Sequence, residues 1–364
     1  MRELLTESQR AVLLATILAV SVVGAGVGSF TTTAASSDAD IVVQKGESIQ
    51  QAVNDASPGD VIEVEKGLYE ESVRVNKSGL TIRAKDPSNP PTVSHQPDEP
   101  ANNATFEIIE NGVVLSDLVI ERVGHPDRDG ENATAAVAVV PVDSDRPTCR
   151  FSFSGCTDVT KDVLVKDNEI VGDFPLQNDS ASGVAVTDGT EYMFVVETAG
   201  DASNVTIENN EVYGFPGGVG VVADYGGTVS GVEVTGNYLH DNTAVDNGTP
   251  EGVGFGVGRN TSEGSFEDIV VTDNEITNND YGVRIAGPED DEDLENADAS
   301  AVTVTQNDIV GNSEWGAVNN GTNSLDATEN WWGDADGPSG AGPGSGDAVN
   351  ENVTYDPWLE NSTT

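Results

Sequence analysis

Residues 163–170 read Val-Leu-Val-Lys-Asp-Asn-Glu-Ile, and the chain repeats the pattern Val-x-Val-x-x-Asn-x-(Ile/Val/Leu) with small variations. The aligned asparagines are separated by 42, 27, 37, 33 and 23 residues, which indicates a unit near 23 residues with insertions of variable length. A pattern that recurs in this way is typical of a solenoid. The recurring asparagines are Asn168, Asn210, Asn237, Asn274, Asn307 and, in a degenerate copy, Asn330.

The repeat predicts how each coil folds. Alternating valines predict a strand with one buried face, and the apolar residue two places after each asparagine should point inward again. Because asparagine tolerates the left-handed backbone conformation, we expect it at the turn, where the amides of stacked coils can form a hydrogen-bonded ladder. A second strand in each unit has the form Gly-(Val/Ala), as in residues 281–283, Tyr-Gly-Val. Several strands per unit without helices between them predict an all-β parallel β-helix.

Both ends of the solenoid need covering, and the sequence offers a cap for each. Residues 47–56 predict a helix in which Ser48 is the N-cap, Gln51 answers it three residues later, and Ile49, Ala52 and Val53 form one apolar face. Residues from about 325 to 360 predict the C-terminal cap. We expect four aromatic residues to close that end, namely Trp331, Trp332, Tyr355 and Trp358. A single β-helix domain is therefore predicted over residues 40–360.

The composition is strongly acidic. There are 63 Asp and Glu against 16 Lys and Arg, which gives a net charge of -47 over 364 residues. Nucleic acid is excluded as a partner, because phosphate binding needs a basic surface. Such charge also fits a disordered chain, but the regular apolar strands oppose that reading. We interpret the charge as an adaptation to multimolar salt, where screening removes self-repulsion, and expect a halophilic archaeal source.

The N-terminus resembles an export signal. Arg2 and Arg10 precede an apolar run over residues 11–30, and Thr-Ala-Ala at residues 33–35 is an acceptable cleavage site. The absence of a twin arginine favours general secretion. We predict a signal peptide over residues 1–35 and a secreted or cell-surface protein. The alternative is an uncleaved N-terminal anchor, because the run just reaches the length that spans a bilayer.

Two further features fit an extracellular location. Cys149 and Cys156 predict a local disulfide rather than a metal pair, because no His or third Cys lies near them. Ten Asn-x-Ser/Thr sequons predict glycosylation. They begin at Asn76, Asn103, Asn132, Asn178, Asn204, Asn247, Asn260, Asn320, Asn352 and Asn361.

Both ends of the chain also carry a family resemblance. Residues 48–53, Ser-Ile-Gln-Gln-Ala-Val, with Pro-Gly-Asp at 58–60 and Gly-Leu-Tyr-Glu-Glu at 67–71, resemble the opening of right-handed parallel β-helix proteins of the pectin-lyase-like superfamily. The segments Asn-Trp-Trp-Gly at 330–333 and Tyr-Asp-Pro-Trp-Leu at 355–359 are similar to the closing segment of many secreted β-helix proteins. The resemblance implies a right-handed parallel β-helix over nearly the whole mature chain and says little about chemistry.

Catalytic residues are less clearly indicated. A pectin methylesterase would need a Gln-Asp pair and a family-28-type glycosidase an aspartate cluster, and the sequence has neither. A pectate-type lyase would need Ca²⁺ and a cationic base, for which Arg284 and Arg259 are weak candidates, as is His240. The three histidines are dispersed, so a zinc or copper cluster is not predicted. The acidic loop 288–296 offers weak Ca²⁺ ligands, and a solvated loop is the alternative. Those ligands are Asp290, Asp291 and Asp293.

Aromatic and polar residues on consecutive coils suggest a ligand-binding groove. Equivalent positions of parallel coils lie at strand spacing, so sugar rings could stack on the aromatics while Asp and Arg meet hydroxyls. In the alternative reading, the aromatics shield turns and each Arg pairs with its nearest carboxylate. The groove candidates are Tyr213, Asp224, Tyr225, Tyr238, Tyr281 and Trp315, with His240, Asp241, Arg259 and Arg284 nearby.

Three functions fit these observations. The first is a secreted or surface β-helix that binds polysaccharide or cell-envelope glycans, without a cofactor unless Ca²⁺ is bound. The second is a lyase, hydrolase or epimerase that acts on an acidic polysaccharide. The third, implied by the resemblance to the β-helix accessory protein of nitrous oxide reductase, is a metalloenzyme accessory protein, which three His and two Met disfavour. The sequence favours the first, because no set of acid, base and metal ligands is complete.

Overall fold

A computed structural model describes residues 39–95, 104–123, 134–141, 159–173, 181–192, 195–223, 226–243, 252–258, 264–286 and 297–363. Within these ranges the chain has one α-helix, α1 (Ile49–Asp55), a 3₁₀ turn (Ala299–Ala301) and strands numbered β1 to β31 in chain order. Three parallel sheets, A, B and C, contain every strand except the antiparallel hairpin of β14 (Gly189–Tyr192) and β15 (Val195–Ala199).

The three sheets are built from strands of successive coils. Sheet A contains β1 (Ile41–Val43), β2 (Val61–Val64), β5 (Thr81–Ala84), β8 (Val114–Ser116), β11 (Val159–Lys166), β16 (Asp201–Glu208), β19 (Thr228–Thr235), β22 (Ser265–Thr272), β25 (Val302–Thr305), β28 (Leu325–Asp326) and β31 (Val353–Thr354). Sheet B contains β3 (Leu68–Glu70), β6 (Thr92–Ser94), β9 (Val119–Val123), β12 (Glu169–Asp173), β17 (Glu211–Tyr213), β20 (Tyr238–His240), β23 (Glu275–Thr277) and β26 (Asp308–Val310). Sheet C contains β4 (Val73–Val75), β7 (Ala104–Ile108), β10 (Thr134–Val139), β13 (Ala181–Thr187), β18 (Gly217–Val222), β21 (Val253–Gly258), β24 (Tyr281–Ile285), β27 (Trp315–Asn319), β30 (Gly346–Val349) and β29 (Pro338–Gly340).

One coil consists of a strand from sheet A, then one from sheet B, then one from sheet C. In sheet A, Val163 pairs with Val205, and Val205 with Val232, so that valines of successive coils form one inward row. These three side chains are at most 2% exposed, which is the burial that the alternating pattern predicts. The parallel pairing confirms the predicted fold class, a right-handed parallel β-helix.

The asparagines of the repeat form the predicted ladder in the turn between sheets A and B. At each step from Asn168 to Asn330, Nδ2 of one asparagine donates to Oδ1 of the asparagine in the next coil, over 2.9 to 3.0 Å. At the N-terminal end of the ladder, the backbone N–H of Leu118 donates to Asn168 Oδ1. All six asparagines are at most 3% exposed, so the ladder satisfies polar groups that have no access to water.

The prediction that these asparagines take the left-handed conformation is wrong. The residue before each of them has the positive φ, between 54° and 65°. That preceding position is exposed in every copy, whereas the asparagine must turn its amide inward to reach its neighbours. The left-handed residues are Asp167, Asn209, Gly236, Asp273, Gln306 and Glu329.

A second ladder, which the sequence analysis missed, lies in the turn between sheets B and C. Asn242 Nδ2 donates to Asn279 Oδ1 at 3.0 Å, and Asn279 Nδ2 donates to Asn312 Oδ1 at 3.1 Å. Asn312 Nδ2 then donates to Asp347 Oδ2 at 2.9 Å. The signal was present, because in three coils an asparagine follows the first-ladder asparagine by five residues.

The second ladder explains the glycine in the Gly-(Val/Ala) strands of sheet C. A Cβ at Gly254 would lie 2.9 Å from Asn279 Nδ2 and 2.8 Å from the carbonyl oxygen of Gly282. A Cβ at Gly282 would lie 2.9 Å from Asn312 Nδ2 and 2.5 Å from the carbonyl oxygen of Gly316. Only glycine therefore lets the backbone approach both the ladder and the next coil.

Helix α1 covers the N-terminal end much as predicted, with a different hydrogen-bond arrangement at its start. Ser48 accepts from the Gln51 N–H as the N-cap, but the Gln51 side chain donates to Asp55 and not back to Ser48. The Glu71 carboxylate supplies further acceptors at the start of the helix, because it accepts from the Ile49 N–H at 2.7 Å and the Gln50 N–H at 3.2 Å. A carboxylate at a helix N-terminus also interacts favourably with the helix dipole.

At the other end, strands of sheets A and C continue through the segment predicted as the C-terminal cap. Trp332 is fully buried, and Tyr355 and Trp358 pack against the core, whereas Trp331 is partly exposed. Among the described residues, no helix has the length and apolar character needed to cross a membrane.

Candidate functional site

The outer face of sheet C is lined by small side chains. Its strands alternate buried residues such as Val219 and Phe255 with outward-facing residues, and the outward residues of successive coils stand in register. One such row begins with a charged pair, continues through four small residues and reaches a second arginine. In order it contains Arg74, Glu107, Ala138, Ala185, Gly220, Gly256, Arg284 and Val318.

We call Ala185, Gly220 and Gly256 the sheet C floor. All three are partly exposed, whereas Ala138, the preceding residue of the row, is 9% exposed. A Cβ at Gly256 would meet no atom closer than 3.4 Å, which is ordinary contact. The fold therefore does not require glycine at Gly256, in contrast to the inward Gly254. Packing within the coils does not explain the small residue at Gly256, and its small size affects the outer surface of sheet C.

Three larger side chains stand at the C-terminal end of this floor. The Arg284 guanidinium lies 5.6 Å from the ring centroid of Tyr281, within cation–π range. Tyr281 pairs in register with Trp315 of the next coil, so the two aromatic residues share a row that lies three positions before the row of Arg284 and Val318. All three are partly exposed. The floor thus ends at a cation and two aromatic rings, groups that bind anionic and cyclic ligands.

The structure divides the predicted groove between two sheets. Tyr213 and Tyr238 lie on the outer face of sheet B together with His240, whereas Tyr281 and Trp315 lie on sheet C with Arg284. A groove lined by some of these residues therefore stays a prediction, with the sheet B residues and the sheet C residues as separate sets. Aromatics that follow the Asn of a repeat belong to sheet B, and those that precede its Gly belong to sheet C. The remaining candidates, Asp224, Tyr225 and Arg259, lie outside the described residues.

His240 is held by carboxylates at both ring nitrogens. Its Nε2 lies 3.2 Å from Glu211 Oε1, and its Nδ1 lies 2.9 Å from Asp241 Oδ2. Burial by itself lowers the pKa of His240, but the hydrogen bonds to Glu211 and Asp241 outweigh it and raise the pKa above its ordinary value. When it is protonated, His240 donates from both nitrogens and has no lone pair with which to act as a general base.

The aromatic rings around His240 face one another. The centroid of the imidazole lies 3.9 Å from that of Tyr238 and 5.0 Å from that of Tyr213, with interplanar angles of 21° and 17°. The Tyr213 hydroxyl donates to Glu169 at 2.8 Å. The ring faces that stack on the imidazole are not available to a sugar, which reduces the stacking surface of this part of sheet B.

Acidic residues continue along the same face of sheet B. Glu275 and Asp308 are neighbours in register, and burial, followed by the charge of Asp308, raises the pKa of Glu275. Asp308 is 3% exposed and accepts hydrogen bonds from the backbone and side chain of Thr363 and from Ser362. The end of the chain thus covers one carboxylate of the pair.

A third polar cluster lies under the corner of sheets B and C. His95 is 5% exposed, and its Nδ1 hydrogen-bonds to the hydroxyl of Ser72. Burial, with a smaller contribution from the charge of Arg122, lowers the pKa of His95 to about 4. His95 is therefore a neutral, buried hydrogen-bonding residue at neutral pH.

Several predicted sites lie outside the described residues. These are the signal segment 1–35, Cys149 and Cys156, the Ca²⁺ candidates Asp290, Asp291 and Asp293, and the sequons at Asn103, Asn132, Asn178, Asn247 and Asn260. The other sequons are exposed, at Asn76, Asn204, Asn320, Asn352 and Asn361. Within the described part of the chain, no group of three or more His, Cys, Asp or Glu side chains is placed to hold a metal ion.

Sequence reasoning missed the sheet C floor because it searched for large and charged residues. The available signal was a small residue between two inward ones, as in Val-Ala-Val at 184–186, Val-Gly-Val at 219–221 and Phe-Gly-Val at 255–257. In a strand with a buried face, the central residue of each triplet must point outward. Three such triplets in consecutive coils predict a smooth outer surface.

Comparisons with known proteins give distant structural likeness. No protein-family model matches the chain, and no curated protein matches it. The chain is similar to the solved rice weevil pectin methyl esterase, with 14% identity, a TM-score of 0.43, and coverage of 98% of this chain and 97% of that one. It is also similar to an alginate lyase from Paenibacillus sp. str. FPU-7, with 11% identity, a TM-score of 0.39, and coverage of 87% and 100%. Likeness at this level carries no argument about function, and the fold rests on the strand pairing of this chain.

Proposed function

We propose that this protein binds a glycan on the outer face of sheet C, along the floor that ends at Arg284. The observation that carries the proposal is the in-register row of small residues next to a partly exposed arginine and two aromatic rings. From Ala185 to Arg284 the row crosses three strand spacings, about 14 Å, which is long enough for several sugar units. A flat floor admits an extended polymer.

The local positive charge of Arg284 favours a ligand with anionic groups at this place, against the charge of the protein as a whole. The chain has 63 acidic and 16 basic residues, so the repulsion of an anionic polymer by most of its surface is strong. Arg284 offers a local cation with a planar fork of donors that fits a carboxylate or sulfate. Tyr281 and Trp315 supply apolar ring surface beside it. We therefore propose an acidic polysaccharide or an envelope glycan as the ligand.

The proposal is for binding rather than catalysis, on a secreted or cell-surface protein that works in high salt. The composition and the signal-like segment support that location and setting. His240, one of the three catalytic candidates, has both ring nitrogens engaged with carboxylates. The alternatives are a lyase, hydrolase or epimerase that acts at Arg284, and a metalloenzyme accessory protein.

The test is retention of the mature protein on a panel of acidic and neutral polysaccharides in high-salt affinity gels. Gly256→Leu should place a side chain in the floor without clashing with the fold and lower affinity at least about tenfold, and Arg284→Gln should do the same. Thr303→Leu, on the outer face of sheet A, is the matched control and should bind normally. Equal retention of all four proteins would refute the site, and product formation from any polysaccharide would replace binding by catalysis.

A further inference from the structure

His240 and four residues around it form what we call the His240 clasp, which consists of His240, Glu211, Asp241, Tyr213 and Tyr238. The imidazole is 9% exposed and joins two coils, because Glu211 and Tyr213 belong to β17 whereas His240 and Tyr238 belong to β20. The contacts to Glu211 and Asp241 use both ring nitrogens, at 3.2 and 2.9 Å. The number of hydrogen bonds that this geometry allows depends on whether the imidazole is protonated.

A neutral imidazole has one N–H donor and one lone pair, whereas a carboxylate has only acceptors. The neutral ring can therefore satisfy one of its two carboxylates, and its lone pair repels the other. The imidazolium ion donates to both. The stacked tyrosine rings favour the same form, because a cation is attracted to an aromatic face. Two carboxylates and two tyrosine rings thus favour the protonated ring.

The described strands next to the clasp supply no other cation. The strands packed around it, β12, β17, β20 and β23, contain no Lys or Arg. The titratable groups that face the imidazole are Glu211 and Tyr213 from β17, Tyr238 and Asp241 from its own segment, and Glu275 from β23. Glu169 of β12 is connected through the Tyr213 hydroxyl. The imidazolium is therefore the one positive charge among several carboxylates in this part of the described structure.

The clasp lies next to the start of the second ladder. Asp241 has a φ of 50°, and the following residue, Asn242, donates its backbone N–H to Asn279 Oδ1 at 3.1 Å. A change at Asp241 is therefore transmitted directly to the corner between sheets B and C. This corner is also where the chain leaves sheet B for the strands of sheet C.

We propose that the His240 clasp is a pH-dependent switch. When the imidazole is protonated it holds the Asp241–Asn242 segment in place at the corner between sheets B and C, and when the imidazole is neutral this segment is free to move. On loss of the proton, the imidazole keeps one carboxylate and repels the other, and the Asp241–Asn242 segment loosens. Acidification restores both hydrogen bonds and closes the corner. The proposal is independent of glycan binding on sheet C, since no ligand takes part in it.

The first measurement is a pH titration of the histidine side chains by NMR in one high-salt buffer, with the His240 signal assigned by its loss in His240→Phe. The midpoint of His240 should lie above 6.5, the value for the ordinary side chain. Glu211→Gln should lower that midpoint, whereas the matched change Glu233→Gln on sheet A should leave it unaltered. A midpoint at or below 6.5, or no response to Glu211→Gln, would overturn the clasp.

The second measurement is amide hydrogen exchange at Asn242 over the same pH range, corrected for intrinsic exchange. Protection in the native protein should fall at least about tenfold as pH rises through the His240 midpoint. His240→Phe retains an aromatic ring without a titrating group, and Glu211 and Asp241 have side chains 48% and 67% exposed that water can solvate. In this variant the protection should not change with pH. The same fall of protection in His240→Phe would show that a group other than His240 controls exchange at Asn242, which would overturn the proposal.

Discussion

Replacement of Asn237 by alanine removes one complete rung from the first ladder. Asn237 Nδ2 donates to the carbonyl oxygens of Ile207 and Thr235 at 2.8 and 3.0 Å and to Asn274 Oδ1 at 3.0 Å. Asn237 Oδ1 accepts from the backbone N–H of Asn210 at 2.9 Å and from Asn210 Nδ2 at 3.0 Å. Four of these five hydrogen bonds are buried and the bond to Thr235 is partly buried, so water cannot fully take the place of the amide.

The expected loss of stability depends on which hydrogen bonds the neighbours of Asn237 still make in the alanine variant. Asn210 Nδ2 still donates to Val165 O and Glu208 O, and Asn274 Oδ1 still accepts from the Asn237 N–H. The backbone N–H of Asn210 loses Asn237 Oδ1 as its acceptor, which costs about 1–3 kcal/mol for a buried donor. With about 1 kcal/mol net for the remaining lost bonds and the small cavity, we expect Asn237→Ala to lower the free energy of unfolding by about 2–4 kcal/mol.

Asn237→Asp separates hydrogen bonding from packing. The aspartate keeps the shape of the side chain, but turns an acceptor oxygen toward the acceptors that Nδ2 served. At neutral pH it also buries a charge at a position that is 1% exposed. It should therefore destabilise the protein more than alanine does, and should recover part of the loss on acidification, because a protonated carboxyl can donate.

The assay is urea unfolding at constant high salt, with native-state hydrogen exchange to localise the effect, because long repeat arrays do not always unfold in two states. Asn76→Ala, at an exposed asparagine, is the control and should lie within about 0.5 kcal/mol of the native protein. An Asn237→Ala loss below about 1 kcal/mol would refute the reasoning. So would an Asn237→Asp variant as stable as Asn237→Ala.

Three further predictions use the same unfolding assay. Glu71→Ala should cost about 1–2 kcal/mol by removing acceptors from the start of α1, and Glu71→Gln, which keeps an acceptor, should cost less. Gly282→Ala should cost more than about 2 kcal/mol, because its Cβ would lie 2.5 Å from a carbonyl oxygen, whereas Gly256→Ala should change stability by less than about 1 kcal/mol. His95 has a folded pKa of about 4 against an unfolded value of 6.5, so its contribution is present above pH 6.5 and is lost as pH falls through 4. In His95→Asn, the decrease of the free energy of unfolding on acidification should therefore be smaller by about 3 kcal/mol than in the native protein. An equal decrease in both proteins would show that other groups dominate the acid dependence.

The fold was predictable because each coil repeats the same local sequence signals. A strand with one buried face and an asparagine at a fixed distance recur around Asn210 and Asn274 as around Asn168, and a parallel arrangement follows once the repeats must stack. The ladder itself was predicted, but the left-handed residue was placed one position too late. Propensity favoured asparagine for that conformation, and burial of its amide overrode propensity.

The candidate site was less predictable, because sheet membership decides which residues meet. Tyr238 and Tyr281 both lie near a turn, and sequence spacing alone treated them as one set. Their positions relative to the repeat were readable, since Tyr238 directly follows Asn237 and Tyr281 directly precedes Gly282. What could not be read was the state of His240, because its two carboxylates come from different coils and the contact depends on register.

The two kinds of glycine in sheet C show how a requirement of the fold can be separated from a candidate functional feature. Gly254 and Gly282 face the ladder amides, and a methyl group there would collide with the backbone of the next coil, so the fold alone accounts for them. Gly220 and Gly256 face outward, where an added Cβ would come no closer than 3.2 Å to a serine hydroxyl and 3.4 Å to a valine methyl. Glycine in a strand interior weakens the strand, so glycines that the fold does not need lower the stability without a structural reason. That two of them stand in one row, in register with Ala185 and Arg284, is the reason to look for the ligand on this face rather than among the stacked rings of sheet B.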